Sequence, residues 1–337
     1  MIRIIFKWTL AVLVLTGCQD KTEQEVVVYT SHDQILSEPV LKQFYKKTGI
    51  KVKAVYDIEA NKTTGLVNRL IAEKQKPRAD VFWNNEYLNT LKLQEMGVLE
   101  AFTDPLITSS DKQVYWSGFA ARGRVFIVNK NLVKPDKMPQ RLEDLTDPEW
   151  KGKVAIANPH FGTTGTHFSN LLAYWGENKF TAWLQALKNN DTAVLPGNAQ
   201  VKDKVAAGHY WVGLTDTDDV NGALLDKKPV LMKVPDQGED QMGVFVIPNS
   251  VALIKRGPNP EQAKQFIEYI LSKDIEAQLA SARGAQIPIR HSVKGPTIIP
   301  DSKGLIILKP KTDVPASKLM KQMLSIFRRV FYTDGSV

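Results

Sequence analysis

Short apolar runs of strand-forming residues alternate with helical patterns near the start of the chain. Residues 26–30 predict a buried strand, the alternating residues 50–55 a second strand and residues 79–83 a third, and apolar residues at helical spacing lie between them. Gly49 follows the first helical pattern, as is typical of a helix C-terminus. Because parallel strands need a long crossover connection, usually a helix, this order predicts an α/β fold with a mostly parallel sheet.

Polar side chains directly follow these predicted strands. Ser31 and His32 come after the first strand, Glu59 after the second, and Asn84 and Glu86 after the third. In open α/β sheets, ligands bind beyond the carboxyl ends of the strands. We therefore expect these five residues to contribute to a ligand site.

A glycine- and threonine-rich turn follows a later predicted strand, at residues 153–158. Thr163, Thr164, Gly165 and Thr166 lie where the next helix begins, so backbone N–H groups and hydroxyls could face an anion there. The alternative is a helix cap whose hydroxyls are satisfied locally. The turn is not a nucleotide phosphate loop, because no Gly-Lys-Ser/Thr follows it.

The densest group of like charges stands at the end of another apolar run, at residues 208–214. Asp216, Asp218 and Asp219 fall within four residues. Like charges ~4 Å apart repel by about 4 kcal/mol at an intermediate dielectric, so a partner is expected. That partner could be a cation, an ammonium group or helix-end amides, or the carboxylates could only cap a helix and face water.

The first residues predict export. A positive start and a short apolar segment are typical of a signal peptide over residues 1–17, and the segment is too short for a usual membrane span. It ends in Leu-Thr-Gly-Cys, which resembles a bacterial lipobox. We therefore expect lipidation at Cys18, a tether over residues 18–25, and a protein held by lipid in the periplasm or cell envelope.

Length and charge limit the remaining possibilities. The 337 residues suffice for two lobes that each have a core, and Cys18 is the only cysteine, so no disulfide is expected. The formal net charge is +8, but Lys and Arg are scattered along the sequence and predict a solvated surface. A nucleic-acid partner is therefore not expected.

Several stretches, taken in order, resemble one family. The chain resembles the ferric-iron-binding type of extracytoplasmic solute-binding protein, which serves a bacterial ABC importer and has the two-lobed type II periplasmic binding protein fold. The resemblance runs from about residue 26 to the last helix. It is carried by residues 27–31, 47–52, 79–83, 162–166, 214–219 and 246–249.

The resemblance implies two lobes that are joined by two crossing strands, near residues 121–128 and 243–247. Lobe 1 would hold residues 26–120 and 244–337, and lobe 2 about 125–240. It also implies a monomer that delivers its cargo to an ABC permease and its ATPase subunit. No catalytic residue and no cofactor are implied, with Fe(III) bound only as cargo.

One departure from the family concerns the ligand. Ferric-binding members commonly place two adjacent tyrosines where this chain has Asp218 and Asp219, and the chain has no Tyr-Tyr pair. Carboxylates do bind hard cations, so His32, Glu59, Asp218 and Asp219 would be the metal ligands. The charges equally suit a small organic anion or a zwitterion such as an aminoalkylphosphonate.

Two further ligand and function classes remain open. A polyamine could stack on Trp83 or Trp211, although each indole is more typical of a core. A hydrolase could use the adjacent Ser31 and His32, but neighbours on a strand point to opposite faces. His160 and His167 are candidate metal ligands, although isolated histidines more often have a structural role. A purely structural lipoprotein is the other alternative.

Overall fold

The computed structural model describes residues 23–57, 63–106, 113–295, 307–308 and 314–332. The predicted signal peptide, the lipidation site Cys18 and the candidate ligand Glu59 lie outside the described residues. No described helix has both the length and the apolar character needed to cross a membrane.

Most of the described strands belong to one large mixed sheet. The strands are β1 (Glu25–Thr30), β2 (Lys51–Tyr56), β3 (Val81–Asn84), β4 (Leu99–Glu100), β5 (Phe102–Thr103), β6 (Gln113–Val114), β7 (Ser117–Asn129), β8 (Val154–Ala157), β9 (Ala193–Leu195), β10 (Val212–Asp216), β11 (Val230–Lys233), β12 (Val244–Ile254) and β13 (Ile307–Leu308). Strands β5 and β6 form a separate pair. The order through the main sheet is β2-β1-β3-β12-β7-β10-β8-β9, with β4 and β13 paired to β12 and β11 paired to β7.

The helices pack on both sides of this sheet. They are α1 (Gln34–Thr48), α2 (Thr64–Ala72), α3 (Leu88–Glu95), α4 (Gly162–Asn189), α5 (Asn198–Ala206), α6 (Thr217–Leu225), α7 (Pro260–Ile270), α8 (Lys273–Ser281) and α9 (Ala316–Tyr332). Helix α1 ends at Gly49, whose φ of 75° lies in the left-handed region, as the sequence predicted. The α/β class is confirmed.

Two long strands join the two halves of the sheet. The first part of β7 pairs with β12, from Ser117 opposite Val251 to Gly123 opposite Val246. From Arg124 onward, β7 pairs with β10 instead. The parallel strands β1, β2 and β3 therefore lie in one lobe and the parallel strands β8, β9 and β10 in the other. These crossings lie where the family resemblance implied them.

Helix α9 contacts both lobes. Phe327 packs against Phe168 and His160 of lobe 2, with ring centroids 6.4 and 6.2 Å away. At its other end, the Ala316 N–H donates to Glu95 Oε1 of lobe 1 at 2.6 Å. The predicted boundaries put this helix in lobe 1, and its apolar face also packs on residues of α4. The lobe boundaries stay a prediction.

Candidate ligand cleft

Three helices of lobe 2 begin at the same place. Strands β8, β9 and β10 are parallel neighbours, and α4, α5 and α6 begin within a few residues of their carboxyl ends. Gly213 lets α5 approach β10 closely, because a Cβ there would lie 2.4 Å from Val201 Cγ1. The helix starts line a cleft between the lobes, together with Asp33, Asn85, Arg122, Phe161, Thr163, Thr164, Asn198, Asp216, Asp218 and Asp219.

Asp216 is held in the wall of the cleft by a buried ion pair. Its Oδ1 lies 2.6 Å from Nη1 of Arg124, a side chain with no exposed surface. Its Oδ2 accepts hydrogen bonds from Thr163 Oγ1 at 2.5 Å and from Asn198 Nδ2 at 2.9 Å. Arg124 also donates to Thr164 Oγ1 at 3.2 Å. The charge of Asp216 is therefore balanced and its geometry fixed.

Asp218 connects α6 to a crossing strand. Its Oδ2 lies 3.3 Å from Nε of Arg122, a residue of β7. Arg122 also donates to the carbonyl of Asn85 in lobe 1 at 3.0 Å and to Oδ1 of Asn249 in β12 at 2.9 Å. A guanidinium at the junction thus contacts both lobes and both crossing strands.

Asp219 is a carboxyl group of the cleft whose pKa lies far above the ordinary value. Burial, followed by the charges of Asp218 and Asp216, raises its pKa to about 8, although Thr215 Oγ1 donates to it at 2.7 Å. Oxygen atoms of Asp216, Asp218 and Asp219 all lie within 4.8 Å of one another. Because a cation would relieve the repulsion that raises this pKa, the three carboxyl groups form a candidate cation site.

His32 lies behind the lining of the cleft. It is buried, with its ring centroid 5.0 Å from that of Trp83. Its Nε2 lies 2.7 Å from Nε2 of Gln286 and 3.3 Å from Nη2 of Arg122. Since both partners can donate to this nitrogen, His32 orients Arg122 instead of lining the cleft. Its assignment as a metal ligand stays a prediction, and the contacts described for its Nε2 are with Gln286 and Arg122.

Glu86 joins the lobes behind the cleft. It is fully buried and accepts hydrogen bonds from Thr166 Oγ1 of α4 at 2.6 Å and from Asn84 Nδ2 at 2.7 Å. Burial raises the pKa of its carboxyl group, which these hydrogen bonds partly oppose. Ser31 Oγ also lies here and donates to Asn84 Oδ1 at 2.5 Å.

The structure thus separates the predicted residues into two sets. Five of them line the cleft, namely Thr163, Thr164, Asp216, Asp218 and Asp219. The others within the described residues lie in the layer behind it, namely Ser31, His32, Asn84, Glu86, Gly165 and Thr166. Gly165 packs there on backbone, because a Cβ would lie 2.6 Å from the carbonyl oxygen of Pro159.

Sequence reasoning missed Asp33, Asn85, Arg122, Arg124 and Asn198. A signal existed for the arginines, because they stand two residues apart on a predicted crossing strand and so share one face. Arginine is rarely buried without a partner, and the acidic loop provides partners. The sequence signal near Asn198 was only the Pro-Gly pair that precedes it, and such a pair predicts a turn but not a ligand contact.

The other singled-out aromatic and histidine residues lie away from the cleft lining. Trp83 is fully buried in the core of lobe 1. Lys153 Nζ lies 4.0 Å from the Trp211 ring centroid. His167 is buried and stacks on Phe245 at 5.5 Å, and burial keeps its pKa well below the ordinary value. His160 Nε2 accepts from Arg328 Nε at 2.9 Å. None of the four lines the cleft that the structure describes.

A family model matches most of the chain. The model described as bacterial extracellular solute-binding protein matches residues 40–303. A relative from Serratia marcescens named Fe(3+)-binding periplasmic protein is 30% identical over 265 residues, covering 74% of this chain and 75% of the relative. A Salmonella typhimurium relative named putative 2-aminoethylphosphonate-binding periplasmic protein is 24% identical and covers 84% of each chain.

Solved structures share the fold. Iron-bound HitA from Pseudomonas aeruginosa superposes with a TM-score of 0.76 at 20% identity, covering 91% of this chain and 99% of that one. The periplasmic binding protein AfuA from Actinobacillus pleuropneumoniae, with fructose-6-phosphate bound, gives 0.78 at 23% identity and covers 93% and 100%. The predicted two-lobed type II periplasmic binding protein fold is confirmed.

Proposed function

Because this chain belongs to the bacterial extracellular solute-binding proteins, we propose that it captures a small solute between its lobes for an ABC importer. The solute is handed to a membrane permease that is driven by an ATPase subunit. The protein acts as a monomer and performs no catalysis. Ser31 and His32, the pair that a hydrolase would use, contact Asn84 and Arg122 respectively in the layer behind the cleft.

The cargo that we propose first is ferric iron, bound alone or as a complex. The observation that carries this proposal is the group of three carboxyl groups whose oxygens lie within 4.8 Å of one another. Fe(III) is a hard cation, and carboxylate oxygens are hard ligands. The Serratia marcescens relative is named for Fe(3+) binding, and HitA was solved with iron.

The charges of the cleft favour a cation over an anion alone. Arg124 is neutralised by Asp216, and Arg122 lies beside Asp218. Asp219 and Asp33 add further carboxyl groups to the lining. An incoming cation therefore meets an excess of carboxyl groups, and Asp218 and Asp219 are its proposed ligands.

A second candidate cargo is a zwitterion such as an aminoalkylphosphonate. The specific observation that favours it is the meeting of three helix N-termini, at Gly162, Asn198 and Thr217. Their first-turn N–H groups and dipoles suit a phosphonate, while Asp218 and Asp219 suit the ammonium group. The Salmonella typhimurium relative is named for such a ligand.

We also propose that the mature protein begins at Cys18 and is held to a membrane by lipid on that thiol. The support is the Leu-Thr-Gly-Cys sequence after a short apolar segment. The family is extracellular, and the lipid would place this member in the periplasm or cell envelope.

A thermal-shift titration tests the cargo. Full-length protein is heated with Fe(III) citrate or with 2-aminoethylphosphonate, each over a range of concentrations. A cargo at 100 times its Kd stabilises the fold by about 2.7 kcal/mol. Asp218→Asn should remove that gain, whereas Asp203→Asn, an exposed carboxylate beside Lys202, should keep it. Equal gains in both variants, or no gain with any cargo, would overturn the proposal.

A further inference from the structure

A cluster of cationic side chains lies on lobe 1, at the end of its strands that is opposite the cleft. These residues come from two stretches that are far apart in the sequence. We define the basic pole as Lys74, Lys76, Arg78, Lys255 and Arg256. Four of the five line one surface groove of about 380 Å³, and Lys76 lies in the loop between two of them. The two halves of the cluster are about 180 residues apart in sequence, so cations that are scattered along the chain meet on one surface of the fold.

Backbone pairing brings the two halves together. The Ile254 N–H donates to the Asp80 carbonyl, and the Lys255 N–H donates to the Val98 carbonyl at 3.0 Å. The Arg256 guanidinium donates to the Lys74 carbonyl, also at 3.0 Å. The cluster is therefore fixed by the fold and does not depend on side-chain flexibility.

Carboxylates only partly offset the charge of the basic pole: Glu73 lines the same groove, and Glu100 Oε2 accepts a hydrogen bond from the Arg256 N–H at 3.3 Å. The ion pairs described nearby join other residues, as in Arg69 with Glu73 and Lys51 with Glu23. None of the five cations is paired with a carboxylate among the described residues. Lys74 Nζ and the Arg256 guanidinium donate to backbone carbonyls instead, so the five cations outnumber the two carboxylates beside them.

The described chain begins at the same face. β1 begins at Glu25, and the Asp80 N–H beside the basic pole donates to the Val27 carbonyl of β1 at 2.9 Å. Glu23, the first described residue, is five residues after Cys18. Five residues span at most about 17 Å. A lipid on Cys18 would therefore hold the membrane surface close to the basic pole.

The ligand cleft lies at the other end of the same strands. Ser31 follows β1 and Asn85 follows β3 at the cleft side, whereas Arg78 precedes β3 at the pole. We propose that the basic pole is a membrane-contact surface that binds anionic phospholipid headgroups. Its approach to the bilayer rests on the lipid anchor proposed above.

Charge complementarity selects this partner. An anionic leaflet attracts Lys and Arg within a Debye length of about 8–10 Å, and salt weakens the attraction. The tether reaches at most about 17 Å, so the pole comes within the Debye length when the tether is less than fully extended, and the attraction favours that arrangement.

Lysine labelling on vesicles tests the proposal. The full chain, purified with its lipid, is placed on vesicles of phosphatidylcholine alone or with 30% phosphatidylglycerol, on the order of a natural anionic content. Acetylation of Lys74, Lys76 and Lys255 is read by peptide mass spectrometry. We expect at least about fivefold protection on the anionic vesicles, lost in high salt. Lys227 and Lys228, exposed on lobe 2, should show no protection.

Two double variants with the same change in net charge distinguish binding through the basic pole from an effect of net charge alone. Lys76→Glu with Lys255→Glu should abolish the protection of Lys74, whereas Lys227→Glu with Lys228→Glu should leave it. Equal effects of the two pairs, or equal labelling on both vesicle types, would overturn the basic pole as a lipid surface. Binding to neither vesicle type would contradict the pole and the anchor, and binding only to anionic vesicles would contradict the anchor alone.

Discussion

Arg124 Nη1 and Asp216 Oδ1 lie 2.6 Å apart beneath the ligand cleft, and both side chains are buried. The pair joins the crossing strand β7 to the end of β10, just before the acidic turn of α6. It explains how a chain can keep three neighbouring aspartates at one site: the first is neutralised within the fold, and the other two face the cleft.

Breaking this pair should strongly destabilise the fold. Arg124→Met leaves a buried carboxylate without its partner, which costs about 3–5 kcal/mol. Urea unfolding measures the loss. Arg283→Met, which removes an exposed pair with Asp226, should cost less than about 1 kcal/mol. Similar losses in the two variants would show that the buried pair is not what holds the acidic turn in place.

The hydrogen bond from Thr166 to Glu86 should stabilise the contact between the lobes. Thr166→Val keeps the shape but removes a donor from a buried carboxyl group, and we expect a loss of about 1–3 kcal/mol. Thermal unfolding provides the measurement. The same change at Thr103, which is exposed on β5, is the control. A Thr166→Val protein as stable as the control would contradict the proposed role.

Asp219 should make the ligand-free protein less stable as pH rises. Its pKa is about 8 in the fold against an ordinary value of 3.8, so the folded state binds more protons than the unfolded chain between those values. Stability from this group is therefore lost from about pH 4 to about pH 8. Asp219→Asn removes the decline and should stabilise the ligand-free protein at pH 8 by on the order of 1 kcal/mol.

Urea unfolding across that pH range, without cargo, measures the effect of Asp219. Asp203→Asn, at an exposed position, is the control and should keep the wild-type pH dependence. A parallel decline in wild type and Asp219→Asn would mean that Asp219 titrates normally. The same Asp219→Asn protein should not be stabilised by Fe(III). The substitution would thus stabilise the ligand-free protein and weaken its binding of iron.

An iron complex of this protein should be pale. The ligands that we propose are carboxylates, and no Tyr-Tyr pair exists in the chain. Phenolate-to-iron charge transfer, which would colour the complex strongly, is therefore not expected. Visible absorption of the iron-loaded protein checks this, and addition of a chelator should reverse its thermal stabilisation. An intense visible band would contradict carboxylate ligation by Asp218 and Asp219.

The sequence predicted the fold better than the site, for a physical reason. Strand and helix patterns between residues 26 and 97 are local, and they are sufficient for an α/β sheet. Thr163 and Asp218 could be placed near the cleft because helix starts and acidic turns are local as well. The position of His32 behind the cleft lining could not be predicted, because it depends on Gln286 and Arg122, which are distant in sequence.

The two arginines likewise show that local sequence patterns do not predict long-range contacts. Arg122 and Arg124 are ordinary charges in the sequence and become site residues only when β7 passes beneath the cleft. The basic pole was missed for an equivalent reason, since Lys74 and Arg256 meet only through the pairing of β3 with β12. Pairings over such distances cannot be read from local spacing.

Native mass spectrometry of freshly isolated protein tests the central claim most directly, because a solute trapped between the lobes adds its own mass. We expect wild-type protein and Asp203→Asn to carry an increment of iron, or of a small zwitterion, and Asp218→Asn to carry none. A wild-type protein with no increment, in which Fe(III) citrate and 2-aminoethylphosphonate also add none, would contradict a solute site at Asp218 and Asp219.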